Sequence, residues 1–459
     1  MSLALPSRKN GKRTAFQPGM YSYKRSGEGF EAQIHLRVDA DGPALLLVNA
    51  NRVLHLNPSA AFMAWLALEE IPRTEALQQL RRRYRTDRDV LVADFDQTAA
   101  TIAEFIRPDG ACPVHELELD ILPPFSASPS APYRMDLALT YRCNLQCAHC
   151  YNARERNYPE LDTDSWKRVI DRCWEAGIPH ICFTGGESTL RDDLPALIRH
   201  AQSTGQITGL LTNGVRLSDA DYLHTLVEAG LDHVQITFES LDAPVHDQMV
   251  GVPGAWEKTA QGIRNVLAEN LYLMTNTTLL SSNAGQAVDT VDFLAEMGVP
   301  TVGFNALIYA GKGASVGSGI RSEDLEPILE GVRTRTATHG QRLIWYTPTQ
   351  YCHFDPMQLE LGVKGCSAAR YNMCVEPNGD VIPCQSFYSS VGNILVDPWD
   401  SIWNHKLCTW IRNHEYVRDE CHACPMLSQC GGGCPLTLMN DEDAVPHSAA
   451  FFEDALANR

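Results

Sequence analysis

The sequence predicts an α/β protein built on a partial (β/α)6 TIM-type barrel, with a winged-helix-like domain before it and a cysteine-rich domain after it. Three observations predict this class. Strand and helix patterns alternate from Arg134 to about Tyr309, a short run of strands and three helices precedes them, and cysteines crowd the C-terminal part. At 459 residues the chain is long enough for about three domains.

The first part of the chain has the pattern of a small domain of strands followed by helices. Gln33 to Val38 alternates with the period of two expected of a half-buried strand, and Ala44 to Val48 is a second apolar run. Helical patterns follow over residues 57–66, 74–84 and 90–106. We therefore predict a winged-helix-like domain over residues 1–107, which is too small for a large active site and suits a binding role.

A proline-rich segment separates this domain from the rest of the chain. Residues 108–134 combine prolines, serines and an acidic stretch, a composition that supports neither a helix nor a central strand. We predict a linker there. The domains predicted after it are the barrel over 135–310, a bridging region over 311–345 and a cysteine-rich domain over 346–459.

Six strand patterns alternate with helical patterns after the linker. The predicted strands are Met135–Thr140, His180–Thr184, Ile207–Thr212, His233–Phe238, Leu273–Leu280 and Val299–Asn305. The predicted helices between them include Thr163–Ala176, Ser218–Ala229, Ala255–Glu269 and Gly285–Met297. Such alternation predicts parallel strands with helical crossovers, and the carboxyl ends of barrel strands carry the functional loops.

The composition limits what the protein binds. A formal net charge of −18 disfavours phosphate backbones and anionic membranes, so we expect neither nucleic acid nor membrane as a partner. The opening segment is polar, and no apolar run reaches the roughly 18 residues of a membrane span. We expect a cytoplasmic protein, in which fifteen cysteines are better explained by metal than by disulfides.

Three cysteines lie in one short loop directly after the first barrel strand. Cys143, Cys147 and Cys150 are spaced C-x3-C-x2-C. A 4Fe-4S cluster normally takes four thiolates, so three thiolates from one loop leave one iron free to bind a small molecule. The alternatives are three unrelated buried cysteines or part of a zinc site.

Short polar motifs follow the next strands at the same rim. The second strand ends in Gly185-Gly186-Glu187, where the glycines allow close approach of a ligand and the carboxylate can take a positively charged amine. Alone, this motif would indicate only a turn. The third strand ends at Asn213, and the fourth ends at Glu239 and Ser240.

From Met135 to about Tyr309, these motifs together resemble the radical SAM superfamily. The resemblance implies that the three-cysteine loop holds a 4Fe-4S cluster whose open iron is chelated by S-adenosylmethionine. It implies that the rim residues bind this cofactor: Gly185, Gly186, Glu187, Asn213, and Glu239 or Ser240. An electron from a reductant such as flavodoxin or ferredoxin would then cleave the sulfonium bond and give a 5'-deoxyadenosyl radical.

The C-terminal cysteines form two spaced blocks. Cys366 and Cys384 frame a C-x12-G-x4-C pattern, and a C-x2-C-x5-C-x3-C pattern runs from Cys421 to Cys434. Read without family knowledge, the second block could be a structural zinc site. The whole pattern resembles the SPASM extension, which binds one or two auxiliary iron-sulfur clusters.

The SPASM resemblance implies a set of ligands for each auxiliary 4Fe-4S cluster. The first set is Cys366, Cys384 and Cys434, with Cys352 or Cys374 as the fourth ligand. The second set is Cys421, Cys424 and Cys430. Because the family's further cysteine is missing after Cys434, the second cluster is left with a non-cysteine ligand, an open iron or Cys408.

The stretch from Ala44 to Ile106 resembles the PqqD-like RiPP recognition element. Such modules hold the leader of a ribosomal precursor peptide by adding it as a strand to a sheet edge. A basic cluster could attract an acidic leader or could simply be a solvated helix face; it comprises Arg81, Arg82, Arg83, Arg85 and Arg88.

These features predict a radical SAM enzyme that cross-links a leader-bound precursor peptide through a carbon-carbon or thioether bond. A second possibility keeps the radical chemistry but changes the substrate to a small molecule, a tetrapyrrole or a folded protein, as in sulfatase maturation. A third is a non-catalytic scaffold that binds zinc. No catalytic side chain is assigned, because acidic residues near the rim are too many to choose among.

Overall fold

The computed structural model describes residues 15–27, 30–49, 52–107, 129–269 and 271–440. Most of the predicted linker, residues 108–128, lies outside the described residues. The chain divides into two compact units, Met1–Pro123 with Cys173–Pro179, and Pro124–Arg172 with His180–Arg459.

The first unit contains a four-stranded antiparallel sheet followed by three helices. Its strands are β1 (Gly19–Gly27), β2 (Phe30–Val38), β3 (Ala44–Val48) and β4 (Arg52–Leu56), paired in chain order. Its helices are α1 (Pro58–Leu68), α2 (Arg73–Arg83) and α3 (Arg88–Ile106). The two predicted strands and three predicted helices are confirmed. Sequence analysis missed β1 and β4, because β1 carries many polar residues and the short β4 includes Arg52 and His55.

Alternating apolar residues of the sheet and the inner faces of the helices form the core of this unit. Ile34, Leu36, Leu46 and Leu66 are completely buried, and Trp65 is nearly so. Burial of a large apolar side chain contributes about 1.5–3 kcal/mol, so this core is sufficient to hold the helices on the sheet. The side chain of Asn57 fixes the start of α1 by accepting a hydrogen bond from the Ala60 amide.

The second unit contains a nine-stranded sheet and most of the helices. Its strands are β5 (Arg134–Thr140), β6 (His180–Gly185), β7 (Ile207–Thr212), β8 (His233–Thr237), β9 (Tyr272–Leu279), β10 (Thr301–Ala306), β11 (Arg342–Trp345), β12 (Asn372–Val375) and β13 (Val381–Ile382). Its first helices are α4 (Thr163–Glu175), α5 (Leu194–Thr204), α6 (Ala220–Glu228), α7 (Ala243–Val250), α8 (Ala255–Ala268), α9 (Ala287–Glu296) and α10 (Ser322–His339).

The sheet has the strand order expected of a partial barrel. Strands β5 to β10 lie side by side in chain order, and every neighbouring pair is parallel. Parallel strands covered on both faces are apolar along their length, as in the fully buried run Ile181 to Phe183 of β6. The predicted barrel is therefore confirmed, with its functional loops at the carboxyl ends of the strands.

Both edges of the barrel are extended by strands that were not predicted. Strand β11 pairs in parallel with β10, although its residues fall at the end of the predicted bridging region. Strand β12 pairs in parallel with β5, and β13 returns antiparallel beside it. The cysteine-rich part of the chain is thus joined to the barrel by backbone hydrogen bonds at β5, the strand that leads into the cysteine loop.

Regular structure is sparse after β13. Up to residue 440, where the described residues end, five short helices follow: α11 (Trp399–Trp403), α12 (Lys406–Arg412), α13 (Asp419–His422), α14 (Leu427–Cys430) and α15 (Pro435–Asn440). Turns and side-chain hydrogen bonds connect them. Among the described residues, no helix is both long and apolar enough to cross a membrane.

Candidate active site and metal centres

The loop that follows β5 carries Cys143, Cys147 and Cys150, and its backbone is held by neighbouring loops. The Gln146 amide donates to the carbonyl of Val250 at 2.9 Å, and the Lys312 amide donates to the carbonyl of Cys150 at 3.0 Å. Gly251 has a left-handed φ of +71°, and a Cβ atom there would lie 2.6 Å from the Gln146 carbonyl oxygen. This close packing fixes the path of the loop.

The three thiols of the loop resist ionisation while no cation accompanies them. Burial raises the pKa of Cys143 to about 11 and raises the pKa values of Cys147 and Cys150 as well. Repulsion from neighbouring thiolates adds to the shift at Cys143 and Cys147. A metal centre that takes the sulfurs as thiolates removes this penalty, so the group is suited to binding a cation.

Gly185, the last residue of β6, and Gly186 pack closely against the end of β5 and the start of the cysteine loop. A Cβ atom at Gly186 would lie 2.5 Å from the Arg142 carbonyl oxygen and 2.6 Å from that of Tyr141. At Gly185, where φ is +131°, it would clash with the carbonyl of Thr140. The Gly-Gly pair therefore lets the backbone of the cysteine loop lie directly against the end of β6.

Glu187 follows Gly186, and its buried carboxylate accepts hydrogen bonds from neighbouring protein groups. One oxygen accepts hydrogen bonds from the Thr189 amide (3.1 Å), the Thr189 hydroxyl (2.7 Å) and the Thr212 hydroxyl (2.8 Å). The other oxygen accepts from the Asn213 amide at 2.8 Å. Both oxygens of Glu187 are thus engaged, and the side chain joins the end of β6 to the end of β7.

Asn213 connects that network to the cysteine loop. Its side-chain amide donates to Asn144 Oδ1 at 2.7 Å and lies 3.9 Å from the sulfur of Cys143. Its own Oδ1 accepts from the Val215 amide at 3.0 Å, which fixes the side chain. Asn213 is therefore placed by Glu187 and positioned beside a thiol.

Glu239 and Ser240 follow β8 but face different surroundings. One carboxylate oxygen of Glu239 lies 3.0 Å from Nε2 of His149, and the other accepts from the Thr278 amide at 2.8 Å. Burial alone would lower the pKa of His149, but the charge of Glu239 and their hydrogen bond raise it. Ser240 donates to Gln286 Oε1 at 2.7 Å and is fully buried.

A cavity of about 620 Å³ opens at this rim. Its lining includes the cysteine loop and several rim residues, namely Gly185, Gly186, Asn213 and Glu239. Three C-terminal cysteines also line it, namely Cys366, Cys384 and Cys434. Glu187 and Ser240 do not. The predicted rim residues therefore separate into a set that reaches the cavity and two side chains that support the set from behind.

The three C-terminal cysteines of the cavity form a second thiol group. Burial raises the pKa of Cys384 to about 12 and also raises that of Cys366, with repulsion from Cys434 adding to both. Cys374 does not line the cavity and packs in the core against Ala138 and Ile382.

Two further candidate ligands, Cys408 and Cys352, do not line the cavity. Cys408 is buried, and its sulfur lies 3.7 Å from the carbonyl of Ile402 inside the α11–α12 corner. Cys352 belongs to a segment that contacts Cys430, not to the lining of the cavity. That Cys408 substitutes in the second cluster and that Cys352 joins the first therefore stay predictions.

The cavity contains a carboxylate that sequence analysis missed. Asp136 on β5 is buried, lies 2.9 Å from Nε of Arg134 and accepts from Gln385 at 2.7 Å. All three residues line the cavity. An aspartate inside the apolar strand Met-Asp-Leu-Ala-Leu was the available signal, because an acidic side chain is seldom buried in a strand without a partner or a role.

Comparisons with known proteins identify the family. Residues 137–294 match the sequence model of the radical SAM superfamily, and residues 366–425 match that of the SPASM iron-sulfur cluster-binding domain. The PqqA peptide cyclase of Streptomyces rochei is 30% identical over 314 residues, covering 66% of this chain and 84% of that protein. The chain belongs to the radical SAM superfamily. The cyclase of Rhodopseudomonas palustris is also 30% identical, over 319 residues, with coverage of 66% and 82%.

Solved structures show the same fold. SuiB of Streptococcus suis bound to its precursor peptide SuiA has a TM-score of 0.67 at 16% identity, covering 89% of this radical SAM enzyme and 96% of SuiB. The protein anSMEcpe with bound AdoMet has a TM-score of 0.55 at 18% identity, with coverage of 71% and 95%. The predicted fold class is therefore confirmed.

The family matches decide which metal centre the cysteines hold. Four thiolates around one zinc ion lie about 3.8 Å apart, given a Zn–S bond of about 2.3 Å. In the described part of the chain, no three cysteine sulfurs lie within 4.8 Å of one another. The match to the SPASM domain identifies the centre as an iron-sulfur cluster. This radical SAM enzyme uses 4Fe-4S clusters and S-adenosylmethionine as cofactors.

One other side-chain group has the closer spacing of a single-ion site. His180, Cys182 and His233 bring their ligand atoms within 4.8 Å of one another at β6 and β8. Here, however, the two Nε2 atoms lie 2.8 Å apart and share a hydrogen bond. Burial, aided by Arg134, lowers the pKa of His233 to about 4, so a neutral His233 that shares a hydrogen bond with His180 accounts for the group.

Proposed function

We propose that this radical SAM enzyme cross-links two residues of a ribosomally made precursor peptide. The observation that carries the proposal is the shared cavity, in which the cysteine loop and Cys366, Cys384 and Cys434 line one space of about 620 Å³. A peptide segment placed there would reach both thiol groups. The relatives named peptide cyclases and the fold shared with SuiB support a peptide as substrate.

The proposed roles of the rim residues follow from where they lie. Cys143, Cys147 and Cys150 hold the cluster that, with S-adenosylmethionine, supplies a 5'-deoxyadenosyl radical. Gly185 and Gly186 shape the wall beside the loop, while Asn213 and Glu239 offer polar groups to the bound cofactor. Glu187 and Ser240 act indirectly: Glu187 positions Asn213, and Ser240 fixes the turn that carries Glu239 by accepting from the Asp242 amide.

The polar floor of the cavity would position the peptide. Asp136 contacts both Arg134 and Gln385, and these contacts fix the orientation of its carboxylate. Asn276 donates to Asn305 at 2.8 Å, and both side chains also line the cavity. Side chains that are already hydrogen-bonded to one another lose little conformational entropy when a substrate binds. Such a preorganised surface can hold a reacting residue in a fixed orientation.

We propose that the first unit is the PqqD-like recognition element and binds an acidic leader. Its sheet ends in two edge strands, β1 and β4, to which an extended peptide can add. The arginines from Arg81 to Arg88 are exposed, and three of them end α2, where positive charge also stabilises the helix. These charges would draw an acidic segment towards the unit.

The proposal is tested by mass analysis of a candidate precursor peptide incubated with the reconstituted enzyme, S-adenosylmethionine and dithionite. We expect a product lighter by the two hydrogen atoms that a new cross-link displaces, together with 5'-deoxyadenosine. An unchanged peptide, while S-adenosylmethionine is still consumed, would contradict the peptide substrate but not the radical chemistry.

Leader binding has a matched control. Charge reversal at Arg81, Arg82 and Arg85 should weaken binding of the precursor about tenfold, because exposed charge pairs contribute about 0–1 kcal/mol each. Reversal of the exposed Arg199 on α5 should leave the affinity unchanged. Equal affinities for all variants, measured by fluorescence anisotropy, would remove these arginines from the leader site.

A further inference from the structure

The second block of cysteines forms a thiol group outside the cavity. Cys421, Cys424 and Cys430 do not line the space that Cys366, Cys384 and Cys434 share. Short turns bring the three together: the Cys424 amide donates to the Cys421 carbonyl at 3.0 Å, and the Cys430 amide donates to the Met426 carbonyl at 2.8 Å. Three thiolates leave a four-iron cluster one ligand short.

A segment from well upstream packs against this group. The amide of Tyr351 donates to the sulfur of Cys430 at 3.4 Å, and that sulfur lies 3.6 Å from the carbonyl oxygen of Thr349. The hydroxyl of Tyr351 donates to the carbonyl of Gln429 at 3.5 Å. These three contacts hold the backbone immediately before Cys352 against α14 and Cys430.

The backbone brings the four cysteines into neighbouring segments. Cys352 directly follows Tyr351, so the contacts of Tyr351 with Cys430 and Gln429 also place Cys352 beside α14. Cys421 lies on α13, and Cys424 lies in the turn to α14, where its carbonyl accepts from the Leu427 amide at 3.1 Å.

The other cysteines of the C-terminal region differ from these four in burial. Cys374 and Cys408 are fully buried in apolar surroundings. By contrast, Cys352 and Cys424 are exposed, and Cys421 and Cys430 are partly exposed. The four therefore lie where a cluster could be inserted without opening the core.

We propose that Cys352 supplies the fourth thiolate of the second auxiliary cluster, completing a closed set with Cys421, Cys424 and Cys430. The inference rests on the proposed iron-sulfur function of the C-terminal region. It assigns Cys352 to a different cluster from the one suggested by sequence spacing.

The test uses the full-length enzyme, reconstituted anaerobically with iron and sulfide. Iron content, sulfide content and the EPR spectrum of the reduced protein are compared for Cys352→Ser, Cys430→Ser, Cys384→Ser and Cys408→Ser. We expect Cys352→Ser and Cys430→Ser to perturb the same EPR species, and Cys384→Ser to perturb a different one. Cys408→Ser is the matched control and should keep the spectrum of the unmodified enzyme.

A second variant distinguishes the loss of a cluster ligand from misfolding. Cys352→Asp retains an anionic ligand and should keep the iron content of the unmodified enzyme while shifting the EPR signal of that one cluster. The inference is overturned if Cys352→Ser leaves the spectrum unchanged, or if it perturbs the species that Cys384→Ser perturbs. If Cys384→Ser and Cys430→Ser both leave iron and spectrum unchanged, the iron-sulfur function of the whole region fails instead.

Discussion

The cysteine loop after β5 and the cysteine-rich C-terminal region arrange their thiols by different means. In the loop, Cys143, Cys147 and Cys150 lie within eight consecutive residues, and local backbone hydrogen bonds set their positions. In the C-terminal region, each thiol group draws on segments far apart in the chain, such as Cys366 with Cys434. Sequence spacing therefore predicts the membership of the first group, whereas tertiary packing decides the second.

The largest effect is expected from removing the thiols of the loop. The triple variant Cys143→Ala, Cys147→Ala and Cys150→Ala should lose cleavage of S-adenosylmethionine entirely, because no other described group offers three thiols from one loop beside the rim. Its iron content should fall by about one third if three clusters are present. Release of 5'-deoxyadenosine and iron per chain measure the two effects.

The same variant tests whether the cysteine loop and the C-terminal region bind their clusters independently. The EPR species assigned to the C-terminal cysteines should persist, since their ligands come from other segments. Cys173→Ala, at a buried cysteine of α4, serves as a control for removal of a thiol. Loss of all iron in the triple variant would mean that the two regions do not bind their clusters independently.

A smaller effect is expected where the loop meets β6. Gly186→Ala would place a methyl group within 2.6 Å of two carbonyl oxygens of the loop, which are backbone atoms and cannot rotate away. The loop must shift, and a misplacement of about 1 Å in a catalytic group can cost about a hundredfold in rate. We expect slower formation of 5'-deoxyadenosine with an iron content close to that of the unmodified enzyme.

Gly285→Ala is the control for this substitution. Its Cβ atom would meet nothing within 4 Å, so the rate of cleavage should not change. A Gly186→Ala enzyme of full activity would show that the close approach of the two backbones is not needed for the chemistry. The prediction that the catalytic geometry of the loop depends on this packing against Gly186 would then be wrong.

The sequence predicted most of the barrel because its signals are local. Strand β7, for example, was predicted as Ile207–Thr212 and is observed with the same bounds, since apolar runs between helices define buried parallel strands. It could not predict the hydrogen bonds that hold Glu187, because Thr189, Thr212 and Asn213 meet only after β6 and β7 pair. Nor could it predict that β12 would pair with β5, which depends on contacts between distant segments.

The same reasoning separates Cys384 from Cys374, which the sequence offered only as one of two alternatives for the fourth ligand of the same cluster. Cys374 packs against Ala138 and Ile382, so Cys374→Ala should keep the full iron content and destabilise the fold by only about 1 kcal/mol. Cys384 lines the cavity with Cys366 and Cys434, so Cys384→Ala should lose iron. Iron analysis and thermal unfolding measure both. Equal iron loss in the two variants would place Cys374 among the ligands and show that burial in this region does not exclude a cluster.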